Sequence, residues 1–516
     1  MATLTYLFDT PNAPTIYIAC TPEHYEDYLK PLAEEILAVR ECRICYTHRT
    51  PEAPERVAPP TDTQLILLPL DFSLLALPPA YLEEEIQLAR ETHIPLLPVL
   101  MEQNIQDMYS LPHKFGKLPR LQYAPKVNAL LTFREALTLA LQSLLLPQDL
   151  MAEACNAPEN LPKGSRQDLL MGIAKLAGLG VPRDTEAAFR LLHKAANAGD
   201  PTAILCLLRA YNAGIGVPPD NRAAFHYGSR LLQYIKEQEA IPQWEQQLRF
   251  LVDLAFFYIR IDYRDEGVRA IRRLHLLCHN KLGATHASTR LYAALLATIV
   301  QRYQHDHPTV EELVREQYLA VAKLLGELHP ETLHRRMQAA LLLPSVGEKE
   351  EGLRELSAVY RSYCTTLGET SAEAQEALYQ LASMCHDTNH NDHALQLAEK
   401  LHQQQLSCLG RKELPTLRTL QLMVHIQSSR QEKRAATRMQ RQLYLALRRQ
   451  LDNNHPQVLT AQMHLAILLH GQKENSTALE HMSNAHNAFR NLYGADFFLT
   501  RYTARLLQQW QKGEDD

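Results

Sequence analysis

Apolar residues follow two different rhythms along the chain. In the first 150 residues, short apolar runs alternate with helical stretches. The predicted strands are Thr15–Cys20, Cys42–Tyr46, Gln64–Leu70 and Ile94–Leu100, and the predicted helices are Pro22–Val39 and Pro79–Glu91. Strands that are apolar on both faces belong in a parallel sheet covered by helices on each side. This region is therefore predicted to be a small doubly wound α/β domain, with any ligand site beyond the carboxyl ends of its strands.

In the C-terminal half, a helix-ending signal recurs between apolar segments of helix length. The intervals are 43 and then 42 residues, and the signals are Leu282-Gly283, Leu325-Gly326, Leu367-Gly368, Leu409-Gly410, Leu451-Asp452 and Tyr493-Gly494. Glycine and aspartate end helices by left-handed or capping conformations. Small residues keep the same period at Gly352, Ala394, Ala436 and Ala478, where paired helices would approach closely. The pattern predicts a solenoid of helix pairs.

Between residues 164 and 236 a second period, of 36 residues, appears. Gly178-Leu-Gly180-Val181-Pro182 recurs as Gly214-Ile-Gly216-Val217-Pro218, and Ala187-Ala188-Phe189 recurs as Ala223-Ala224-Phe225. The glycine segment is predicted to form the turn between two helices, and the Ala-Ala-Phe segment is predicted to form their packing face. The glycines do not form a phosphate loop, because no Gly-Lys-Ser/Thr follows them.

Composition narrows the class of protein. At 516 residues the chain is expected to divide into about three domains. A net charge of −5 gives no general attraction to nucleic acid or to a membrane surface. The N-terminal residues lack the pattern of a secretory signal, and no apolar run approaches the ~18 residues of a membrane span. The nine cysteines are read as reduced thiols, which indicates a cytoplasmic protein.

Both periodic regions resemble known repeat families. The junction formed by Leu-Gly and His329-Pro330 or His455-Pro456 resembles the long tetratricopeptide repeat of the kinesin light chain type, and the 36-residue unit resembles the Sel1-like repeat. The implied domains are the α/β domain at 1–148, a linker at 149–163, Sel1-like repeats at 164–240, and tetratricopeptide-type repeats with a C-terminal capping helix at 241–516. Such repeats imply a protein or peptide partner on a concave surface.

The N-terminal domain resembles the TIR family. The resemblance rests on Leu65–Ser73, Tyr81–Ala89 and Ile94–Glu102, and on the later segments Phe115–Leu118, Leu121–Tyr123 and Phe133–Leu145. In catalytically competent TIR domains a helical glutamate is needed to cleave NAD+ at the nicotinamide–ribose bond. That position falls on Glu85, with Tyr81 one helical turn earlier as an aromatic wall. The alternative is structural, because acidic residues are favoured in the first turns of a helix.

Other features complete the set of candidates. Arg49 and Arg56 lie in a proline-rich loop from which they could contact a phosphate of the substrate. The stretch from Cys385 to His393 is rich in metal-ligand types, but it occupies a turn where polar residues are expected, so no metal or cofactor is predicted. A redox role for Cys42 and Cys45 is improbable on a strand. A basic cluster follows residue 430 and is read as a solvated helix face or as a surface for an acidic partner.

Two functions follow from this arrangement, which resembles that of bacterial signalling or defence proteins. In the first, the repeats bind a partner and the TIR-like domain signals, with NAD+ hydrolysis when self-association completes its site. In the second, the chain is a non-enzymatic interaction scaffold with a degenerate TIR-like module.

Overall fold

The computed structural model describes residues 3–10, 13–20, 25–48, 59–71, 80–102, 121–123, 129–156, 161–237 and 244–512. The chain divides into two compact units, which we call the N-terminal unit (Met1–Asp306) and the C-terminal unit (His307–Asp516). Among the described residues no helix is both long and apolar enough to cross a membrane.

The N-terminal unit begins with a six-stranded sheet. Its strands are β1 (Thr3–Phe8), β2 (Thr15–Ile18), β3 (Arg43–His48), β4 (Thr63–Leu70), β5 (Leu96–Leu100) and β6 (Leu121–Gln122). The spatial order is β1-β3-β2-β4-β5-β6, and every neighbouring pair is parallel except the antiparallel pair of β1 and β3. The four predicted strands are confirmed, with ends shifted by up to two residues, whereas the sequence pattern did not predict β1 and β6.

Helices cover both faces of this sheet. One face packs against α1 (Lys30–Val39), which continues a π-helical turn at Tyr25–Leu29, and against α3 (Phe133–Leu144). The opposite face packs against α2 (Ala80–Glu91) through Ile86 and Ala89. The segment predicted as a linker contains α4 (Gln148–Ala154), whose apolar side chains join the core of the following helices.

The next helices of this unit form antiparallel pairs. They are α5 (Ser165–Ala177), α6 (Thr185–Asn197), α7 (Pro201–Ala213), α8 (Asn221–Glu237), α9 (Trp244–Arg260), α10 (Arg264–Leu282) and α11 (Ala287–Tyr303). Gly178 and Gly214 end α5 and α7 in the left-handed conformation, with φ of 72° and 77°. Ala188 and Ala224 are fully buried as predicted, but Phe225 is 48% exposed, so only the first Ala-Ala-Phe segment packs as a whole.

The C-terminal unit consists of helix pairs. The helices are α12 (His307–Leu325), α13 (Pro330–Leu342), α14 (Lys349–Leu367), α15 (Ala372–Asp387), α16 (Asn391–Cys408), α17 (Leu414–Ser429), α18 (Lys433–Gln450), α19 (Pro456–His470), α20 (Asn475–Tyr493) and α21 (Phe498–Lys512). Within this unit we call the helix that follows each helix-ending signal an A helix (α13, α15, α17, α19, α21), and we call α14, α16, α18 and α20 the B helices. The helical-repeat solenoid predicted from the periods is confirmed.

The periodic glycines act as predicted, and their backbone geometry explains why glycine is needed. Gly368 has φ 92° and ψ 154°, and Gly283 has φ 85° and ψ 165°. A positive φ combined with an extended ψ is accessible almost only to glycine. Asp452 replaces glycine by a different mechanism, because its Oδ1 accepts a hydrogen bond from the backbone N–H of Asn454 at 2.7 Å. At Gly352 there is little room for a side chain, since a Cβ there would lie 3.1 Å from the Ala340 carbonyl oxygen.

A second series of turns keeps the same period without a sequence signal. One residue of positive φ follows each of α9, α11, α13, α15, α17 and α19, and these residues are Asp262, His305, Gly347, Asn389, Gln431 and Lys473, at intervals of 43 and then 42. In most of these turns the following N–H bonds a carbonyl five residues earlier, as in His390 to Cys385 at 2.7 Å. This is the Schellman arrangement of a helix C-terminus. Five of the six positions are not glycine.

Candidate functional site

The first candidate residue, Glu85, lies inside the N-terminal domain. It is on the side of α2 that faces the sheet and is 1% exposed. Its Oε1 accepts a hydrogen bond from the Tyr17 hydroxyl at 2.9 Å, and the same hydroxyl lies 2.8 Å from Thr47 Oγ1. Three elements, β2, β3 and α2, are therefore linked through one buried polar cluster. A carboxylate held in this way orients the helix on the sheet.

The side chains of the other predicted site residues fall outside the part of the chain that the structure describes. Tyr81 belongs to α2, but its side chain lies outside the described residues, and so do Arg49 and Arg56. Their proposed contacts with a substrate stay predictions. The position of Glu85 on the inner side of α2 follows from helix phase, because Ile86 and Ala89 of the same helix are also buried.

The carboxyl edge of the sheet contains an acidic residue that sequence reasoning missed. Asp71 follows β4 directly and is buried. The Tyr28 hydroxyl donates to Asp71 Oδ2 at 3.4 Å. Burial raises the pKa of Tyr28, and the negative charges of Asp71 and Glu102 raise it further. An aspartate immediately after a buried strand was the available signal, because that position meets the ligand edge of a doubly wound sheet.

The second candidate site is a polar surface on neighbouring A helices of the C-terminal unit. Most side chains of α15, α17 and α19 are buried between helices, and a few at helical spacing remain accessible. We call them the A-helix surface, which comprises Glu376, Tyr379, Ser383, His386, Arg418, Gln421, His425, Thr460 and His464. Because the helices pack side by side, these side chains form one continuous strip.

Arg418 is held in place at the centre of this strip. Its Nη1 donates to Glu376 Oε2 at 2.7 Å, and its guanidinium carbon lies 3.7 Å from the ring centroid of Tyr379. Burial acts to lower the pKa of Arg418, but Glu376 more than offsets it and the pKa is raised. The guanidinium is stacked and paired while remaining 35% exposed, so it presents a positioned cation and an aromatic edge to a ligand.

Histidines extend the strip along the adjacent helices. The rings of His425 and His464 lie 6.4 Å apart in an edge-on arrangement. Burial lowers the pKa of His425, and His386 lowers it further. Burial and His425 likewise lower the pKa of His464. Neutral imidazoles of this kind can donate and accept hydrogen bonds, as peptide groups require.

The histidine-rich turn after α15 is a structural turn. His386 Nδ1 lies 2.7 Å from Asn391 Oδ1, and Cys385 Sγ lies 3.7 Å from His393 Nδ1. Burial raises the pKa of the Cys385 thiol to about 11. Among the described residues no group of three or more ligand-type side chains is arranged to hold a metal ion. In the N-terminal domain, burial likewise raises the pKa of the Cys42 and Cys45 thiols to about 12.

Comparison with known proteins bears on the helical repeats. Residues 169–200 and 204–230 match the Sel1 repeat, which confirms the assignment of the 36-residue unit. No curated protein sequence matches the chain.

Several solved structures are similar to parts of the chain. A kinesin light chain-type protein with nearly identical TPR-like repeats from Podosopora anserina is 18% identical, with a TM-score of 0.35 over 39% of this chain and 94% of that chain. BtubC from P. vanneervenii is 15% identical, with a TM-score of 0.36 over 45% of this chain and 91% of its own. The apo form of RapI is 8% identical, with a TM-score of 0.37 over 68% of this chain and 99% of its own. The TIR-like character of the N-terminal domain stays a prediction.

Proposed function

We propose that this protein is a helical-repeat scaffold that binds a protein or peptide partner on its A-helix surface. The observation that carries the proposal is the Arg418 cluster, in which a guanidinium is stacked on Tyr379 and paired with Glu376 before any ligand arrives. Preorganised side chains of this kind lose little conformational entropy on binding. Arginine and tyrosine are also the residue types that contribute most to binding energy at protein interfaces.

The test compares two matched triple variants of the full chain. The first removes the A-helix surface with Tyr379→Ala, Gln421→Ala and His425→Ala. The control removes three exposed side chains of the B helix α16 with Gln396→Ala, Glu399→Ala and Gln403→Ala. A partner captured by crosslinking in the native host and then purified is expected to bind the control with unchanged affinity and to lose at least about tenfold with the first variant. Equal affinity of both variants would refute the proposal.

A second proposal, which ranks below the first, is that the N-terminal domain signals by NAD+ hydrolysis on self-association. It is supported by the order of the five parallel strands, which is that of flavodoxin-like doubly wound sheets. It is also supported by Glu85, which occupies the position that the TIR resemblance implies. The burial of Glu85 and its bond to Tyr17 favour instead a structural carboxylate in a domain that recruits without catalysis. The scaffold is therefore the better-supported function.

A pair of conservative variants separates the two roles. Glu85→Gln keeps the shape of the side chain, and Tyr17→Phe removes the hydroxyl that bonds it. In protein forced to oligomerise, a catalytic Glu85 predicts that nicotinamide release is lost in Glu85→Gln and retained in Tyr17→Phe. A structural Glu85 predicts that no variant, nor the unchanged chain, consumes NAD+, while both substitutions lower stability by about 1–3 kcal/mol.

The domain limits and location complete the proposal. We propose that the TIR-like domain, the Sel1-like repeats and the tetratricopeptide-type repeats follow the limits 1–148, 164–240 and 241–516. None of the nine cysteines, all of which lie in the described residues, forms a disulfide, and reduced thiols suit the conditions of the cytoplasm.

A further inference from the structure

Helix α18 differs in charge from the other B helices. It contains six basic residues and no acidic residue, and the six are Lys433, Arg434, Arg438, Arg441, Arg448 and Arg449. In α14 three basic residues are balanced by three acidic ones. In α20 one basic residue is balanced by one acidic residue, and α16 contains one basic and two acidic residues. Among these four B helices the excess of positive charge is therefore found on α18, in a chain whose net charge is −5.

The arginines of α18 lie on one face. Arg434, Arg438, Arg441 and Arg448 are separated by four, three and seven residues, spacings that return to the same side of a helix. From first to last they extend over about 21 Å, at 1.5 Å per residue. All four side chains are exposed, and the face also presents Leu445, which is 42% exposed. We call these five residues the α18 basic face.

The fold supplies little to neutralise this face. Within the part of the chain that the structure describes, Arg434, Arg438 and Arg441 have no acidic partner. Arg448 donates to an uncharged group, Asn453 Oδ1, at 3.0 Å. Like charges three or four residues apart on a helix repel one another, so the pairs Arg434 with Arg438 and Arg438 with Arg441 destabilise α18. The arrangement therefore costs stability, and packing does not account for it.

The positive charge of the α18 basic face acts on a histidine of the next B helix, α20. His481 of α20 lies edge-on to Tyr444 of α18, with ring centroids 5.7 Å apart. Burial lowers the pKa of His481, and Arg441 and Arg448 lower it further against the opposing effect of Glu480.

We propose that the α18 basic face binds an acidic protein segment with an apolar residue for Leu445. The face is one helix wide, because the equivalent positions of the flanking helices include Asp392, Glu399 and Glu480. A single helix or strand of a partner fits such a stripe, whereas the phosphates of a duplex spread over a wider surface. Leu445 adds an apolar contact that a nucleic acid backbone would not use. This surface is separate from the A-helix surface, so either can exist without the other.

The experiment uses the full chain and a defined probe. The probe is a fluorescent helical peptide of about 20 residues with glutamates along one face and one leucine among them, and its glutamine analogue is the reference. Binding is followed by fluorescence anisotropy at about 0.05 M salt, where exposed charges are weakly screened. The triple variant Arg434→Gln, Arg438→Gln, Arg441→Gln is expected to weaken binding of the acidic peptide about tenfold, since three exposed ion pairs of about 0.5 kcal/mol each are lost.

A matched control separates the site from net charge. Lys349→Gln, Arg354→Gln and Arg361→Gln remove the same charge from exposed positions of α14, and binding should stay within about twofold. Leu445→Ser, made alone in otherwise unchanged protein, should also weaken binding of the acidic peptide. Three results would overturn the proposal: equal weakening in both triple variants, no preference for the glutamate peptide over its glutamine analogue, or tighter binding of a single-stranded oligonucleotide through the same arginines.

Discussion

The two units of this protein differ in how their helices are secured. In the N-terminal unit, Arg209 of α7 and Asp253 of α9 form a two-pronged ion pair at 2.7–2.8 Å with side chains 6% and 5% exposed. Arg209 also donates to the Leu145 carbonyl at 2.8 Å, just beyond α3. In the C-terminal unit, the pair of Arg418 and Glu376 is 35% and 28% exposed. The ion pair of the first unit is therefore buried between its helices, whereas that of the second unit is partly exposed to solvent.

This contrast can be measured because the chain contains two tryptophans, one in each unit. Trp244 is the first residue of α9, the helix that contains Asp253 of the buried pair, and Trp510 of α21 stacks on His470 at 4.2 Å. In a Trp510→Phe background the fluorescence reports the N-terminal unit, and in a Trp244→Phe background it reports the C-terminal unit. Urea unfolding followed in the two backgrounds gives a free energy of unfolding for each unit.

The largest expected effect comes from breaking the buried pair. Asp253→Ala leaves the Arg209 charge buried without its partner, so the N-terminal unit should lose about 3–5 kcal/mol. The matched substitution Glu376→Ala in the C-terminal unit should cost no more than about 1 kcal/mol, because its partner Arg418 can be solvated. Urea midpoints in the two tryptophan backgrounds measure both. Equal losses would show that burial does not distinguish the pairs.

The next effect tests the turns between repeats. Gly368→Ala places a side chain at φ 92° and ψ 154°, where space is open within 4 Å but the backbone is strained. The C-terminal unit should lose about 1–3 kcal/mol. Gly164→Ala is the control, since Gly164 has φ 170°, an extended conformation that any residue adopts, and also has open space. That variant should leave the N-terminal unit within about 0.5 kcal/mol of the parent.

A smaller effect, a gain in stability, is expected from substitutions in the second series of turns, those with a residue of positive φ between two helices. Lys473 has φ 67°, in the left-handed region. Lys473→Gly removes that strain but enlarges the freedom of the unfolded chain, so the C-terminal unit should gain about 0.5–1 kcal/mol. Asn389→Gly at φ 65° should gain less, because asparagine tolerates this conformation. A loss of stability in Lys473→Gly would mean that the lysine side chain contributes a contact worth more than the strain.

These turns also show how far the sequence could predict the structure. The Leu-Gly series predicted the helix ends because the backbone at these glycines has a positive φ with an extended ψ. At such a position the residue type itself indicates the conformation. The second series of turns could not be predicted from the sequence. Its members share a left-handed conformation but not a residue type, as Asp262, His305, Gln431 and Lys473 show. Strand β1 was missed because it is partly exposed along its length. At the candidate site, Glu85 was selected by resemblance, but only helix phase and packing decide that it faces Tyr17.

The smallest expected effect is a difference in acid sensitivity between the units. In the C-terminal unit, burial lowers the pKa of four histidines, His402, His425, His464 and His481. In the described N-terminal unit, a lowered histidine pKa is resolved at His193. A histidine with a lowered pKa binds fewer protons folded than unfolded. Its contribution to stability is therefore present above its ordinary pKa of about 6.5 and is lost as the pH falls through the lowered value.

We therefore expect the free energy of unfolding of the C-terminal unit to fall more than that of the N-terminal unit between about pH 7.5 and pH 5.5. The double variant His425→Gln, His464→Gln should reduce this difference, because glutamine keeps a polar side chain that does not titrate. The measurement is the urea midpoint at each pH in the two tryptophan backgrounds. If the double variant keeps the full pH dependence, the acid sensitivity arises elsewhere and the imidazoles of the A-helix surface are not held neutral by the fold. The neutral state matters for binding as well, since a partner on that surface would meet hydrogen-bonding imidazoles near neutral pH and additional positive charge beside Arg418 in acid.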